Sequence, residues 1–296
     1  MPIREPQAKR RIEAILAASM PALRRTRRIV VLCYHSVHPT NGLRSATPRD
    51  FEQQIEWLNE NCEVVPYSSV PGLAASSTDG RPLVAVTFDD GYEDNHRYAF
   101  PILQAHGVHA TIFVTTGLVD QDRDVIRRFA RSWRVSEDEV KGLSWAQISD
   151  MRAAGFDIGA HTRTHPVLTR MEEGAARDEI RASKTAIEDH LGEAVSLFAY
   201  PFGMPRKDVS DRIIGIVAHL GFASAATILY RGTRQKENPM SIPRFPITSD
   251  SMEVFSGKIH GRLDAIGLWQ TYVPRWLSRL ISAGRLLPRT DHETGP

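Results

Sequence analysis

The stretch LVAVTFDDGY, residues 83–92, places two adjacent carboxylates directly after an apolar run. An apolar run of this length that ends near a glycine is typical of a buried parallel strand followed by a turn. Two neighbouring carboxylates at a strand end repel each other unless a cation or an acid–base reaction uses them. The alternative is an ordinary Asp-Asp-Gly turn. A second motif elsewhere in the chain is needed to decide between these interpretations.

That second motif is HTRTH, residues 161–165, in which two histidines stand four residues apart after another apolar run, residues 156–160. One aspartate and two histidines make a three-ligand metal site with positions left open for water and substrate. Alone, the motif could be a solvated helix face or a local cap, and Thr162 replaces the glutamate of zincin proteases. Because parallel strands of α/β folds end on one face, we expect the two motifs to meet there.

Three motifs together resemble a known family. TFDDG at residues 87–91, HTRTHP at 161–166 and FAYPFG at 198–203 have the order and spacing of the NodB-like polysaccharide deacetylases, carbohydrate esterase family four. YHSV at residues 34–37 is similar to the opening strand of the YHxV branch, and the resemblance extends over residues 29–247. It implies an α/β fold, an incomplete (β/α)7 barrel of the NodB type, and the helical spacing of apolar residues at both ends of the chain predicts extra N- and C-terminal helices.

The resemblance also implies a role for each motif residue. Asp90, His161 and His165 would bind a divalent metal ion, most often Zn²⁺, and Asp89 would be the general base that activates water. The backbone N–H of Phe202 would stabilise the oxyanion. Three further residues of these motifs are expected to contact the substrate: Tyr92, Tyr200 and Pro201.

Two positions depart from the family pattern. Ala199 stands where the family has an arginine that pairs with the base, and Arg244, on the last predicted strand, is our candidate replacement; an ordinary surface arginine is the alternative. The histidine that supplies the general acid has no clear counterpart, because His260 has the wrong surroundings. His35, at the end of the first strand, is a candidate proton donor or substrate contact, or else a structural histidine at the barrel rim.

Composition excludes some classes of protein. With 37 basic and 35 acidic residues, the net charge of +2 is too small to indicate nucleic-acid binding. Two cysteines, Cys33 and Cys62, cannot form a disulfide framework and are expected to be buried free thiols. No secretory pattern is found, and no apolar run approaches the about 18 residues that span a bilayer. We therefore expect a cytoplasmic protein that acts on a glycan precursor at the inner membrane face.

The chain is expected to contain three regions: a basic helical segment at residues 1–28, the deacetylase domain at 29–250, and a C-terminal helical extension with a polar tail at 251–296. The terminal regions could contact a membrane surface peripherally or pack on the barrel. Residues 117–142 are expected to form a charged insertion near the catalytic face, and residues 66–82 a surface loop.

The expected function is metal-dependent hydrolysis of N-acetyl groups on N-acetylhexosamine units of a polysaccharide, oligosaccharide or lipid-linked glycan, with release of acetate. A metal-dependent amidohydrolase on a non-sugar amide is one alternative. A weakly active glycan-binding relative is another, because the usual arginine and general acid are missing. A non-haem iron oxygenase would share the two-histidine, one-carboxylate ligand set, but the strand–helix alternation argues against it.

Overall fold

The computed structural model describes residues 13–18, 28–40, 43–73, 80–234 and 236–267, and in this part of the chain seven parallel strands form a closed ring. Around the ring, the strands that begin at residues 29, 83, 111, 157, 197, 224 and 242 follow one another, and the last of them pairs with the first to close it. The predicted incomplete (β/α)7 barrel is therefore confirmed. The described strands are β1 (Ile29–Tyr34), β2 (Ser36–Val37), β3 (Arg44–Ala46), β4 (Glu63–Val64), β5 (Leu83–Phe88), β6 (Thr111–Val114), β7 (Asp157–Ala160), β8 (Leu197–Ala199), β9 (Ser224–Ile228) and β10 (Ile242–Pro246).

Helices connect most of the ring strands and cover the outside of the barrel. The helix Pro48–Asn61 begins at the predicted Thr47-Pro48 start, where the Thr47 hydroxyl accepts a hydrogen bond from the Asp50 N–H at 3.2 Å. Ser144 caps another helix through a capping box with Gln147. The α-helices are Pro48–Asn61, Phe100–Ala105, Thr116–Val119, Arg123–Trp133, Trp145–Ala153, Glu173–Leu191, Asp211–His219 and Met252–Ile259, and a π-helical turn spans Asn95–Ala99.

Side chains of the ring strands alternate between the barrel interior and the surrounding helices. On β1, Leu32 packs in the outer core and Val31 in the inner one. Cys33 is the next inner residue and is the register partner of Thr87 on β5. Asp89 follows Thr87 by two residues and so continues the inner row. The alternation thus brings polar groups together at the C-terminal end of the barrel.

The N-terminal end of the barrel is closed by the segment Tyr67–Gly72, which forms a 3₁₀ helix. Tyr67 and Val70 are 1% and 2% exposed and pack in the inner core, where the Tyr67 hydroxyl lies 3.0 Å from the Ser224 hydroxyl. The prediction of a surface loop is therefore wrong for this segment. Its two apolar side chains fill the space that the short strands leave open, and residues 74–79 lie outside the described residues.

Part of each terminal region packs on the barrel. Val254, Phe255 and Ile259 of the helix Met252–Ile259 join the main core, and buried Lys258 pairs with Asp250 at 2.5 Å. Residues 13–18 are helical and pack against residue 257. None of the described helices is long and apolar enough to cross a bilayer. The predicted membrane contacts of residues 1–12, 19–27 and 268–296 concern parts of the chain outside the described residues.

Candidate active site

The two adjacent carboxylates of the first motif have different backbone conformations. Asp89 continues the inner row of β5, whereas Asp90 and Gly91 adopt left-handed conformations with φ of 72° and 75°. Thr115 donates its N–H to the Asp90 carbonyl at 3.1 Å, and a Cβ at Gly91 would lie 3.0 Å from Val114. A left-handed turn at a non-glycine residue is costly and is found preferentially at functional sites. Here it gives the two adjacent carboxylates different hydrogen-bonding surroundings.

The two histidines lie on a loop that directly follows β7, and not on a helix. Thr162 and His165 also have left-handed φ values, 67° and 54°. The Thr162 hydroxyl accepts the His165 N–H at 3.0 Å, which fixes the turn between the two imidazoles. Gly117 donates its N–H to the Arg163 carbonyl at 2.8 Å, and a Cβ at Gly117 would lie only 2.6 Å from that oxygen. This close approach holds the histidine loop against the neighbouring segment.

Asp90, His161 and His165 converge on one point. The Asp90 Oδ1 lies 3.6 Å from the His161 Nε2 and 3.5 Å from the His165 Nε2. Ligand atoms that share a tetrahedral zinc ion at about 2.1 Å are about 3.4 Å apart, so the spacing suits such an ion. The buried Asp90 Oδ1 has no hydrogen-bond partner among the described residues. The chemistry and the geometry of this donor set therefore fit a divalent metal ion.

The hydrogen bonds and pKa values of these groups favour the forms that bind a metal. His161 Nδ1 lies 2.7 Å from the Ala199 carbonyl, which accepts the Nδ1 proton and leaves the Nε2 lone pair for a metal. Burial lowers the pKa of both histidines, so the imidazoles are neutral. Burial, and then the charge of Asp89, raise the pKa of Asp90 to about 8. A carboxylate at this position needs a neighbouring cation to stay ionised at neutral pH.

Arg244 supplies such a cation to the other carboxylate, Asp89. The Arg244 Nη1 and Nη2 donate to the Asp89 Oδ1 and Oδ2 at 2.7 and 2.6 Å, and both side chains are buried. The guanidinium also donates to Thr87 and lies over the Phe113 ring. Burial opposes ionisation of Asp89, but the charge and the hydrogen bonds of Arg244, together with His161 and His35, outweigh it and keep the pKa of Asp89 below its ordinary value. Arg244 is thus a fully buried partner of Asp89, and not a surface arginine.

Two residues of the first strand complete the surroundings of Asp89. The Cys33 thiol donates to the Asp89 Oδ2 at 3.3 Å, and the His35 ring is close enough that one donor atom of each of the three residues lies within 4.8 Å of the others. The structure therefore places His35 at the site, as expected. The contact of Cys33 was not anticipated. Its position opposite Thr87, in the inner row that leads to Asp89, is the signal that could have indicated it.

The third motif contributes a strained loop beside the histidines. Phe202 has a left-handed φ of 62°, and its N–H has no acceptor among the described residues. Its ring is 43% exposed and lies 4.7 Å from the His165 ring. Pro201 beside it is buried. The Phe202 N–H is therefore free to receive a ligand oxygen next to the candidate metal-binding histidines.

The two tyrosines that were expected to contact substrate are both buried. Tyr200 is 1% exposed, packs on Phe198 in the outer core, and donates its hydroxyl to the Met240 carbonyl. Tyr200 stands two residues after Phe198, so its side chain points to the same face of the sheet, towards the helices. It therefore cannot contact a substrate at the site. Tyr92 is also 1% exposed and packs on Phe129. Both rings are therefore part of the core and not of a surface that a substrate could contact.

The predicted insertion forms one wall of the site. Its helix Arg123–Trp133 places Phe129 5.2 Å from the His165 ring and Trp133 6.1 Å from the His35 ring. The partly exposed Phe202 of the third motif lies against the His165 ring. Apolar groups thus surround a polar centre, as in small-molecule and sugar sites of enzymes.

The sequence model of the family described as "Polysaccharide deacetylase" matches residues 76–225, half of the chain, and this stretch contains all three motifs. The chain belongs to the polysaccharide deacetylase family. The deacetylase is 25% identical to YxkH of Bacillus subtilis (strain 168) over 235 residues, 76% of this chain and 77% of that protein. It is 20% identical to the poly-beta-1,6-N-acetyl-D-glucosamine N-deacetylase of Staphylococcus aureus (strain N315), over 76% of this chain and 80% of the relative.

Solved structures of deacetylases share the fold. IcaB from Ammonifex degensii is 27% identical, with a TM-score of 0.65 over 78% of this chain and 97% of that one. The Streptococcus pyogenes deacetylase PplD is 22% identical, with a TM-score of 0.66 over 78% and 98% of the two chains. The barrel described above is therefore the fold of this family.

Proposed function

We propose that the deacetylase is a metal-dependent enzyme that removes acetyl groups from N-acetylhexosamine residues of a polysaccharide and releases acetate, with zinc as its ion. The observation that carries this proposal is the pairing of two centres: a buried Asp–His–His donor set, and next to it a carboxylate held by Arg244. The name of the staphylococcal relative supports an N-acetylglucosamine polymer as the first substrate class to test.

Asp90, His161 and His165 would hold the ion. A divalent ion bound there polarises a carbonyl group and makes water more acidic, which amide hydrolysis at neutral pH requires. Asp89 would accept the proton of the attacking water. Because the Arg244 charge keeps the pKa of Asp89 low, this base stays ionised down to acidic pH.

Two further groups would act on the substrate. The Phe202 N–H would donate to the acetamide oxygen as negative charge develops on it, and removing one such donor typically costs about 100-fold to 1000-fold in rate. His35 would give a proton to the leaving amine. Burial lowers the pKa of His35 to about 4, so its protonated form is a strong acid next to Asp89, which collects a proton in each turnover.

The Arg244–Asp89 pair removes one of the two reasons for expecting a weakly active relative. That alternative rested on the missing arginine of the third motif and on the missing general acid, and the structure supplies a guanidinium to the same carboxylate from β10. A non-sugar amide as substrate remains an outcome of the experiment below.

The proposal is tested by measuring acetate release from β-1,6- and β-1,4-linked N-acetylglucosamine oligomers and from a small cyclic amide. The enzyme is assayed as purified, after chelation, and after zinc is added back, and bound metal is quantified in each sample. We expect release from at least one oligomer, loss of release with the metal, and recovery on reloading. Circular dichroism of the chelated protein controls for unfolding. Release that is unaffected by complete removal of the metal would disprove the metal role, and turnover of the cyclic amide alone would disprove the glycan substrate.

A further inference from the structure

A second cluster of metal-binding groups lies beside the proposed catalytic one. It consists of Cys33, His35 and Asp89, and it shares no residue with the set Asp90, His161 and His165. The Cys33 Sγ and the Asp89 Oδ2 lie 3.3 Å apart, and one donor atom of each residue lies within 4.8 Å of the other two. The cluster arises because residues 33 and 89 occupy the inner rows of the paired strands β1 and β5.

The donors suit a thiophilic ion. A thiolate, an imidazole and a carboxylate are all zinc ligands, with bonds of about 2.0–2.3 Å. Donor atoms on one tetrahedral ion are then about 3.3–3.7 Å apart, which the Sγ–Oδ2 distance already satisfies. Softer ions such as Cd²⁺ favour a site with sulfur, whereas the catalytic set offers only nitrogen and oxygen. The two sites therefore differ in the ions that they prefer.

The charges around Asp89 permit an ion but weaken its binding. Arg244 occupies one lone-pair direction on each carboxylate oxygen, and a carboxylate has about four such directions. The Cys33 thiol donates to the Asp89 Oδ2 and must lose its proton to solvent when a metal–sulfur bond forms. Burial raises the pKa of this thiol, so binding should strengthen as the pH rises. The Asp90 set contains no such neutralising arginine and should fill first.

We propose that Cys33, His35 and Asp89 form a second, weaker site for Zn²⁺ or Cd²⁺, and that filling this site inhibits the deacetylase. Binding replaces the S–H bond of Cys33 by a sulfur–metal bond and releases one proton. Inhibition follows because the ion occupies the carboxylate that would accept the proton of the attacking water. The inhibitory half rests on the proposed function, whereas the binding half does not.

Binding is tested by titrating Cd²⁺ into the zinc-loaded enzyme and recording the ultraviolet charge-transfer absorption of the cadmium–thiolate bond. The wild type and Cys62→Ala should develop this absorption, because Cys62 lies outside the cluster and is the matched control. Cys33→Ser should lose this absorption. His35→Gln should weaken Cd²⁺ binding by at least about 10-fold to 100-fold, because that is the loss when only a residue hydrogen-bonded to a metal ligand is replaced. An absorption that persists in Cys33→Ser, or is absent from the wild type, would overturn the site.

Inhibition is tested by the ratio of the rates at excess and at stoichiometric Zn²⁺, taken within each variant so that changes in basal rate cancel. We expect a ratio well below one for the wild type and Cys62→Ala, and a ratio near one for Cys33→Ser. Equal ratios in all three variants would overturn the inhibitory role. If the enzyme hydrolyses no tested substrate, the proposed function fails, while the absorption measurement still decides whether the site binds metal.

Discussion

Asp89 and Asp90 are neighbours in the chain, yet one is neutralised by the protein and the other is not. Asp89 forms two hydrogen bonds with the buried guanidinium of Arg244, whereas the Asp90 Oδ1 has no hydrogen-bond partner among the described residues. The effect on the pKa values is opposite: that of Asp89 is lowered, and that of Asp90 is raised to about 8. A fixed cation therefore suits a base that must stay ionised, and a carboxylate without a fixed cation suits an exchangeable one.

The largest expected effect comes from replacing each carboxylate in turn. Asp89→Asn should lower the rate of acetate release by about 100-fold to 10,000-fold, the usual contribution of a general base, and should leave the bound metal unchanged. Asp90→Asn should lower both the rate and the metal content. Metal analysis beside kinetics separates the two, and Asp189→Asn on an exposed helix face is the matched control. If both variants lose the metal equally, the two carboxylates do not have separate roles.

Removal of Arg244 should have the next largest effect. Arg244→Ala leaves a buried carboxylate without its partner, which typically costs about 3–5 kcal/mol of folding free energy. The pKa of Asp89 should then rise, so the acid limb of the pH–rate profile should move to higher pH. Arg244→Lys keeps the charge but loses the two-point geometry, and should lie between the wild type and Arg244→Ala in both measurements.

Denaturant unfolding and pH–rate profiles of the three proteins provide the measurement. An acid limb at the same pH in Arg244→Ala and in the wild type would show that Arg244 does not set the ionisation of the base.

The meeting of Asp90, His161 and His165 could be predicted from the sequence because each of the two motifs directly follows an apolar strand, whereas Arg244 was a charged residue within the last apolar strand. The direction of a side chain was harder to predict. In a strand that is buried on both faces, the residues that face inward and those that face outward are both apolar. The sequence pattern therefore does not show that Tyr200 points outward or that Cys33 points inward. Tyr67 was missed for a related reason: its segment contains Ser, Pro and Gly, and only the short strands around it make it part of the core.

The chelated enzyme should become less stable as the pH rises, and Asp90 should be the cause. The folded-state pKa of about 8 exceeds the unfolded value of about 3.9, so between these values the folded state binds more protons than the unfolded state. Stability should then fall by at most about 1.4 kcal/mol per pH unit, and this loss should end above the folded-state pKa. Saturating zinc should abolish the slope, and so should Asp90→Asn in the chelated protein. Unfolding curves at several pH values measure it; a chelated Asp90→Asn that keeps the wild-type slope would assign the effect to another group.

The smallest expected effect comes from Gly117→Ala, which disturbs the proposed metal site without replacing any of its three residues. A Cβ at Gly117 would lie 2.6 Å from the Arg163 carbonyl, so Gly117→Ala should displace the loop between His161 and His165. At about 1 kcal/mol, the lower end of overpacking costs, the displacement should weaken zinc binding by about fivefold. Gly174→Ala, where nothing lies within 4 Å of the added Cβ, is the matched control. Because Asp89 and Arg244 lie outside this loop, the acid limb of the pH–rate profile should stay in place when the variant is saturated with zinc. A shift of that limb would mean that the surroundings of Asp89 and Asp90 are coupled through the histidine loop. The two carboxylates would then not be independent groups.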